Sequence, residues 1–332
     1  MDQPAMNLLF IGPEITRVED VRSFGAVWSY YLTRELRRMA IGVRFVPSVP
    51  PETPNIIDHF RSLDLSNIDH VVALGLRLFD KVPAGCAAVL NERLQKRCGI
   101  VAQLYDGSLL DRCPGVLTLT VRDDDARYPK SSPKHAAHAA GNCYIGWAAD
   151  PILCQPLQRD DELRILVDHP IYGFERSDRT LLILKSLAAF VRSGTWRMRF
   201  TAVQVRQILD GKVTDADLFD PHVDLYERQH IPYKDICAEY SQSHVFMPTH
   251  QEASGLSVLE SATAGALVVA CKDFIAPDRL ATVRHVEYTD VIPWRRVVDS
   301  IDVPASRALA LKSSWAAVAK RVIEHLKTWK RP

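Results

Sequence analysis

The chain has 332 residues, of which 47% are apolar, so it is long and apolar enough to bury two hydrophobic cores. Its 41 lysine and arginine residues nearly cancel its 40 aspartate and glutamate residues, which argues against nucleic acid as a partner because no overall basic field would hold a polyanion. The seven cysteines are scattered and include no C-x-x-C pair, so neither a disulfide framework nor a zinc site is indicated.

Short apolar runs alternate with stretches of helical period from the start of the chain, which is typical of a parallel sheet covered by helices. The predicted class is therefore α/β. Residues 7–11 predict the first strand, residues 26–39 an amphipathic helix and residues 43–46 a second strand. Three further predicted strands are each bounded by glycine, proline or aspartate: residues 70–74, 99–104 and 116–121.

The same alternation starts again after the polar stretch 155–162, which we interpret as an interdomain linker. The predicted elements that follow are a strand at 163–168, a helix at 179–191, a strand at 198–203, a helix at 233–241, a strand at 244–247, a helix at 256–264, a strand at 266–270 and one or two helices over 304–330. The restart predicts two domains, residues 1–150 and 151–312, followed by a C-terminal segment, residues 313–332.

The most informative segment places two carboxylates around a turn from strand to helix. Glu252 precedes the predicted helix and Glu260 lies just beyond its first turn, so both can face one cleft. The amides of residues 254–257 begin the helix, and a helix N-terminus attracts anions such as a diphosphate. Nearby carboxylates accept hydrogen bonds from paired hydroxyls, as a ribose or a hexose offers. Ligands of open α/β sheets bind at such strand ends.

Residues 249–270 read T-H-Q-E-A-S-G-L-S-V-L-E-S-A-T-A-G-A-L-V-V-A. This run resembles the E-x7-E element of GT-B glycosyltransferases of family 4, whose members typically read S-x-x-E-G-F-G-L-x-x-L-E-A-M-A-x-G-x-P-V-V-A. The resemblance implies that Glu252 contacts the donor sugar, which makes it a candidate catalytic residue, and that Glu260 contacts the ribose. It also implies donor contacts for residues of the turn: Ser254, Gly255, Leu256 and Ser257.

Two further segments resemble the same family. Residues 143–156 are similar to its domain-crossing segment V-I-P-N-G-V-D-x-x-x-F-x-P, with Asp150 on the aspartate, and residues 314–320 are similar to the S-W-x-x-V-A that begins its final helix. Gly25 and Ala26 stand where relatives often place a Gly-Gly loop that borders the donor phosphate and the acceptor. The resemblance therefore implies two Rossmann-like domains facing each other across a cleft, with the C-terminal helix packing back on the N-terminal domain.

The chain departs from the family where the diphosphate is held. Relatives carry G-R-x-x-x-x-K-G after the first strand of the second domain, whereas this chain has Asp168-His169-Pro170 and then Arg176 and Arg179. His169 and the two arginines are our candidate donor-binding residues, since a guanidinium binds phosphate well. The arginines are equally interpretable as solvated charges at a helix start. After the run V-V-A the family often has a Gly-Gly loop that meets the donor sugar. In this chain residues 271–274 stand there instead, so the identity of the donor sugar is left open.

Several single residues have a structural alternative. Asp106, which follows a predicted strand and is our second candidate catalytic residue, is also a typical turn aspartate. Glu252 alone would be interpreted as a helix-capping residue, and Glu260 has a surface position as its alternative. The run 123–125 is better explained as a solvated turn than as a metal site. The histidine pair at 135 and 138 could bind a metal only with further ligands, so a metal site is disfavoured there as well.

Trp28, Tyr30 and Tyr31 share a predicted helix with arginines at 34, 37 and 38. Such a helix can touch an anionic membrane or a lipid-linked acceptor, but ordinary packing with a solvated rim is favoured. The N-terminus lacks the order of a signal peptide, and no apolar run is long enough to span a membrane. We therefore expect a cytoplasmic protein, with peripheral contact to the inner membrane face as an option.

The resemblance implies transfer of a sugar from a nucleoside diphosphate sugar to a hydroxyl acceptor, with retention at the anomeric carbon. Enzymes of this fold need no metal bound to a D-x-D motif, so we expect neither metal nor cofactor beyond the nucleotide-sugar co-substrate. The acceptor is a sugar, a lipid-linked molecule or a small molecule. Two alternatives stay open, a nucleotide-sugar epimerase and a non-catalytic nucleotide-sugar-binding subunit. A nicotinamide dehydrogenase is disfavoured because residues 8–24 hold no G-x-G-x-x-G.

Overall fold

A computed structural model describes part of the chain, and helices and strands are numbered in chain order within that part. The described residues are 6–12, 14–21, 24–46, 62–73, 99–101, 117–120, 142–157, 163–167, 186, 198–202, 233–248, 255–272, 274–275 and 277–328. The chain divides into two compact units: the first comprises residues 1–147 with 315–332, and the second comprises residues 148–314. That the chain forms independently folding domains with boundaries at 150 and 312 stays a prediction. Limited proteolysis would test it.

Parallel strands form the sheets of the first unit. One sheet has the order β2-β1-β3, with β1 at Asn7–Ile11, β2 at Gly42–Val46 and β3 at His70–Ala73. The other has the order β4-β5-β6, with β4 at Gly99–Val101, β5 at Leu117–Thr120 and β6 at Asn142–Tyr144. Strand β1 is almost entirely buried, as expected for an apolar central strand that is covered on both faces.

The helical stretch after β1 is interrupted by one wide turn. It consists of α1 at Phe24–Val27, a π-helical turn at Trp28–Leu32 and α2 at Thr33–Arg38. Trp28 and Tyr31 are at most 1% exposed and belong to the core, so these two aromatic side chains pack internally instead of facing a membrane. Arg37 and Arg38 on the solvated side pair with Glu14 and Glu35.

The C-terminal helix α8, at Trp315–Thr328, packs within the first unit, as the sequence predicted. Its buried residues recur with helical spacing: Trp315, Val318, Ala319, Val322, Ile323 and Leu326. The ring of Trp315 lies 5.3 Å from that of Trp28 and 5.4 Å from that of Tyr31, measured between centroids. Arg321 Nε donates to the carbonyl of Ile145 at 2.7 Å. Helix α8 therefore shares one core with the helical stretch of residues 24–38.

The second unit contains a five-stranded parallel sheet of order β11-β10-β9-β7-β8 among the described strands. The strands are β7 at Leu163–Val167, β8 at Met198–Ala202, β9 at Val245–Met247, β10 at Leu267–Cys271 and β11 at His285–Tyr288. Strand β10 is buried at every position, whereas β11 alternates as an edge strand does.

The helices of the second unit are α3 at Tyr233–Gln242, α4 at Leu256–Thr263, α5 at Pro277–Leu280, α6 at Trp294–Asp299 and α7 at Val303–Ala310. Helix α4 packs against both α3 and α7. Gly265 ends α4 with φ of +91°, and a Cβ at this position would lie 2.5 Å from Cγ1 of Val303. Only a glycine lets α7 approach this closely.

The predicted α/β class is confirmed. The chain crosses between the two units at Trp147 and Ala148, upstream of the stretch 155–162 that we interpreted as the linker. The helix predicted at 179–191 lies outside the described residues except for Ser186, which is helical. Within the part of the chain that is described, no helix is both long enough and apolar enough to cross a bilayer.

Candidate functional site

The order of the strands in the second unit defines a switch point between β7 and β9. After β7 the chain proceeds to β8 on one side, whereas after β9 it proceeds to β10 on the other. The two strands end side by side, with Val167 in register with Met247. Ligands of open α/β sheets bind outside the carboxyl ends of strands at such a point. The predicted donor-binding residues follow these two strands in the sequence.

The turn that starts α4 is built on Gly255. This residue is the N-cap of α4 and has a left-handed conformation, with φ of +69°. It is buried, while Leu256 and Ser257 after it are half-buried. Gly255 has no side chain that could cap the helix, and the first amides of a helix have no acceptor within the helix itself. The helix therefore begins where the sequence predicted.

Glu260 lies in α4 and is only 3% exposed, so its interpretation as a surface residue is wrong. The hydroxyl of Tyr233, the first residue of α3, donates a hydrogen bond to Oε1 of Glu260. A hydrogen bond to an ionised carboxylate is about twice as strong as a neutral one and offsets part of the cost of burial. Sequence reasoning did not find Tyr233, because its partner lies far along the chain.

Cys154 is a buried thiol near Glu260 whose environment favours its neutral form. A hydrogen bond with Cys237 raises the pKa of Cys154 well above its ordinary value, and burial and the negative charges of Glu260 and Asp150 raise it further. A thiol with a raised pKa stays protonated at neutral pH and is chemically inert. Both cysteines are buried and free.

Arg279 is the main residue near this turn that the sequence analysis missed. It lies in the short helix α5 after β10, and only 6% of it is exposed. Its side chain covers Gly255: a Cβ on that glycine would lie 3.3 Å from both Cγ and Cδ of Arg279 and 3.7 Å from Nε. A buried guanidinium thus lies beside the turn that starts α4. In the sequence, Arg279 is only an arginine shortly after residues 271–274, where the chain departs from the family pattern.

The entry segment of the second unit, residues 148–157, is bound to α4 through Arg307 of α7. The guanidinium donates to the carbonyl oxygens of Thr263 at 2.6 Å, Cys154 at 2.7 Å and Pro151 at 2.9 Å. Asp150, which matches the family's aspartate, accepts from the amides of residues 152 and 153 at 2.7 and 3.1 Å. This aspartate therefore shapes the local turn.

Gly25 and Ala26 lie in the first turn of α1, which begins at Phe24, and not in a loop ahead of the helix. Glycine disfavours helix, so the helical turn across Gly25 depends on packing of its neighbours and not on local preference. Ala26 is buried. Their predicted contact with acceptor or phosphate stays a prediction.

Several predicted site residues lie outside the described part of the chain: Asp106, His169, Arg176, Arg179, Glu252 and Ser254. The same holds for the acidic run 123–125 and the histidines at 135 and 138. Their roles stay predictions. Among the residues that are described, no three His, Cys, Asp or Glu side chains converge as a metal site would require.

Comparison with solved structures shows the fold. A glycosyltransferase from Rickettsia africae is 12% identical with a TM-score of 0.61, and the match covers 97% of this chain and 98% of that one. The apo form of the lipopolysaccharide outer core galactosyltransferase WaaB is 11% identical with a TM-score of 0.60, over 97% and 99%. A candidate UDP-N-acetylglucosamine 2-epimerase from Listeria monocytogenes is 11% identical with a TM-score of 0.58, over 97% and 96%.

The chain therefore has the GT-B fold, as the sequence predicted. No protein-family model matches the sequence, and no curated protein matches it. Membership of family 4 and the interpretation of Glu252 and Glu260 as its E-x7-E element stay predictions. Because one fold serves many reactions, the function must be argued from the site.

Proposed function

We propose that this protein is a glycosyltransferase that moves a sugar from a nucleoside diphosphate sugar to a hydroxyl acceptor. The observation that carries the proposal is the turn at the switch point of the second unit. There a buried guanidinium, Arg279, lies over Gly255 at the start of α4, and the buried carboxylate of Glu260 follows within the same helix. A guanidinium suits a negatively charged diphosphate, and a carboxylate accepts hydrogen bonds from the two hydroxyls of a ribose.

In the proposed donor complex, Glu260 accepts hydrogen bonds from the ribose hydroxyls, and Arg279 adds positive charge beside the phosphates. The amides of the first turn of α4 add the positive end of the helix dipole. Ser254, Leu256 and Ser257 contribute backbone and side-chain contacts in this turn, and Glu252 contacts the donor sugar.

The same groups favour bond cleavage as well as binding. The diphosphate gains negative charge as the glycosidic bond breaks, so preorganised cations and amides stabilise the transition state more than the ground state. This chemistry proceeds without a metal in the proposal, with retention at the anomeric carbon. Arg176, Arg179 and His169 are further candidates for the phosphates, Asp106 for catalysis, and Gly25 and Ala26 for the acceptor side.

A panel of nucleotide sugars tested by thermal shift identifies the donor, because a bound ligand raises the unfolding temperature. Incubation of the best ligand with sugar, lipid-linked and small-molecule acceptors, followed by product analysis, then identifies the reaction. The proposal predicts transfer that depends on the acceptor, together with slow donor hydrolysis. A panel in which no nucleotide sugar shifts the melting temperature would contradict it.

A nucleotide-sugar epimerase is the second candidate, favoured by the similarity of its fold to the candidate epimerase from Listeria monocytogenes. Product analysis separates the two functions, since an epimerase changes the donor without any acceptor. Binding without turnover would indicate a non-catalytic nucleotide-sugar-binding subunit.

A further inference from the structure

We infer that Tyr233 is a positioning residue that orients the carboxylate of Glu260 toward the ribose of a bound nucleotide. The inference rests on the proposed function, because it assigns Glu260 to the ribose hydroxyls. Tyr233 itself acts through the glutamate.

The geometry that carries this inference is one hydrogen bond between two helices. The Tyr233 hydroxyl donates to Oε1 of Glu260, and the two residues lie in α3 and α4, which pack against each other. Glu260 is 3% exposed, whereas Tyr233 is half-buried. A tyrosine side chain has few rotatable bonds, so it holds its hydroxyl at a defined place once its helix is packed.

A fixed carboxylate differs chemically from a rotating one. The terminal torsion of a glutamate side chain is broad, so packing of α4 alone does not define the plane of its two oxygens. A carboxylate offers about four acceptor positions, and a donor that occupies one of them fixes the directions of the others. A ribose diol presents two hydroxyls in a fixed relation and therefore profits from a carboxylate whose plane is set before binding.

Helix α3 packs on the entry segment of the second unit through the residues one and two turns after Tyr233. Cys237, one helical turn along α3, is buried against Cys154, and the hydroxyl of Ser241, a further turn along, lies 3.4 Å from the carbonyl oxygen of Leu153. This row of contacts fixes the rotation of α3 about its axis. With this rotation, the hydroxyl of Tyr233 lies against α4, where Glu260 accepts its hydrogen bond.

The test compares ribose recognition in the unmodified chain and in variants of α3 and α4. The dissociation constants of UDP, GDP, ADP and CDP are measured by calorimetry for the full chain, each beside its 2′,3′-dideoxy counterpart. Tyr233→Phe removes only the hydroxyl, and Tyr240→Phe is the matched control, since Tyr240 is a buried tyrosine of the same helix that packs on Phe246. The readout is the ratio of the two constants, which a purely structural role does not change.

For the nucleotide that binds best, Tyr233→Phe is expected to reduce the preference for the ribose form about tenfold. Tyr240→Phe is expected to keep the preference of the unmodified chain. In a Glu260→Gln background, the tyrosine substitution is expected to have no further effect on the ratio, because the two residues act as one unit.

Two results would overturn the inference, and they are distinguishable. An unmodified chain that binds none of the nucleotides overturns the proposed function together with the inference. A chain that prefers the ribose form equally in the Tyr233→Phe and Tyr240→Phe variants overturns the role of Tyr233 alone.

Discussion

Gly255 and Gly265 flank α4, and both have left-handed backbones, but their surroundings predict different outcomes on substitution. Gly255→Ala costs about 1–2 kcal/mol of backbone strain and displaces the flexible side chain of Arg279, so nucleotide binding is expected to weaken. Gly265→Ala forces Cβ against Val303, whose own backbone is close, and is expected to cost about 3 kcal/mol. Thermal melts and calorimetry on both variants check this. Equal loss of nucleotide affinity in the two would contradict the special place of Gly255.

The positive charge of Arg279 is expected to strengthen the binding of a diphosphate. Arg279→Gln removes the positive charge beside the turn, so the affinity advantage of a nucleoside diphosphate over its nucleoside is expected to fall about tenfold. Arg279→Lys keeps a charge without the planar fork, so its affinity advantage is expected to lie between those of the unmodified chain and Arg279→Gln. The control is Arg295→Gln, at an exposed arginine of α6. The assignment fails if Arg279→Gln keeps the same advantage as the control.

The sequence predicted Glu260 as a site residue, but it indicated neither Tyr233, which donates to Glu260, nor Arg279, which lies beside Gly255. The spacing of two carboxylates around a glycine indicated the turn, because that pattern is local. Tyr233 reaches Glu260 and Arg279 reaches Gly255 only through packing of α3 and α5, and long-range packing leaves no periodic signal in one sequence.

At the scale of elements, Arg307 joins α7 to the C-terminal end of α4 and to the entry segment. Arg307→Met leaves three carbonyl oxygens without this donor and is expected to lower the free energy of unfolding by about 2–3 kcal/mol. Lys312→Met, at an exposed lysine after α7, is the control and is expected to change it little. Urea titration of both variants makes the comparison. Equal midpoints would show that the arginine contacts contribute nothing measurable.

Most described elements were predictable because their signals are strong. Strand β10 is a continuous apolar run that lies inside its sheet, and α8 repeats its apolar residues with helical spacing. Strands β6 and β11 and helices α5 and α6 were not predicted, and β11 and α6 show why. The strand has only four residues, two of them polar, and lies at the sheet edge, while the helix has six residues, half of them charged. Short elements of this kind are stabilised by their neighbours and not by local preference.

At the scale of the whole molecule, Trp315 connects the C-terminal helix to the core formed by Trp28 and Trp147. Trp315→Ala is expected to cost about 3–5 kcal/mol, since a large ring would leave a cavity among the other aromatic rings. Lys320→Ala, on the exposed side of α8, is the control. Differential scanning calorimetry reports both. An unchanged transition for Trp315→Ala would contradict the structural role of α8.

The GT-B fold limits the possible functions but does not choose among them. Solved structures of this fold include a named galactosyltransferase and a candidate epimerase, each about equally similar to this chain. The choice depends on the charges and hydroxyls gathered around α4. A decisive measurement must therefore act on that helix.

Calorimetric titration of the best nucleotide sugar into Glu260→Gln tests the account most directly, because glutamine keeps the shape of the side chain and removes its charge. The exposed carboxylate of Glu287 on β11 provides the control, Glu287→Gln. The account predicts that the Glu260 variant binds at least about tenfold more weakly than the control, with a similar melting temperature. Equal affinity of the two variants would contradict it.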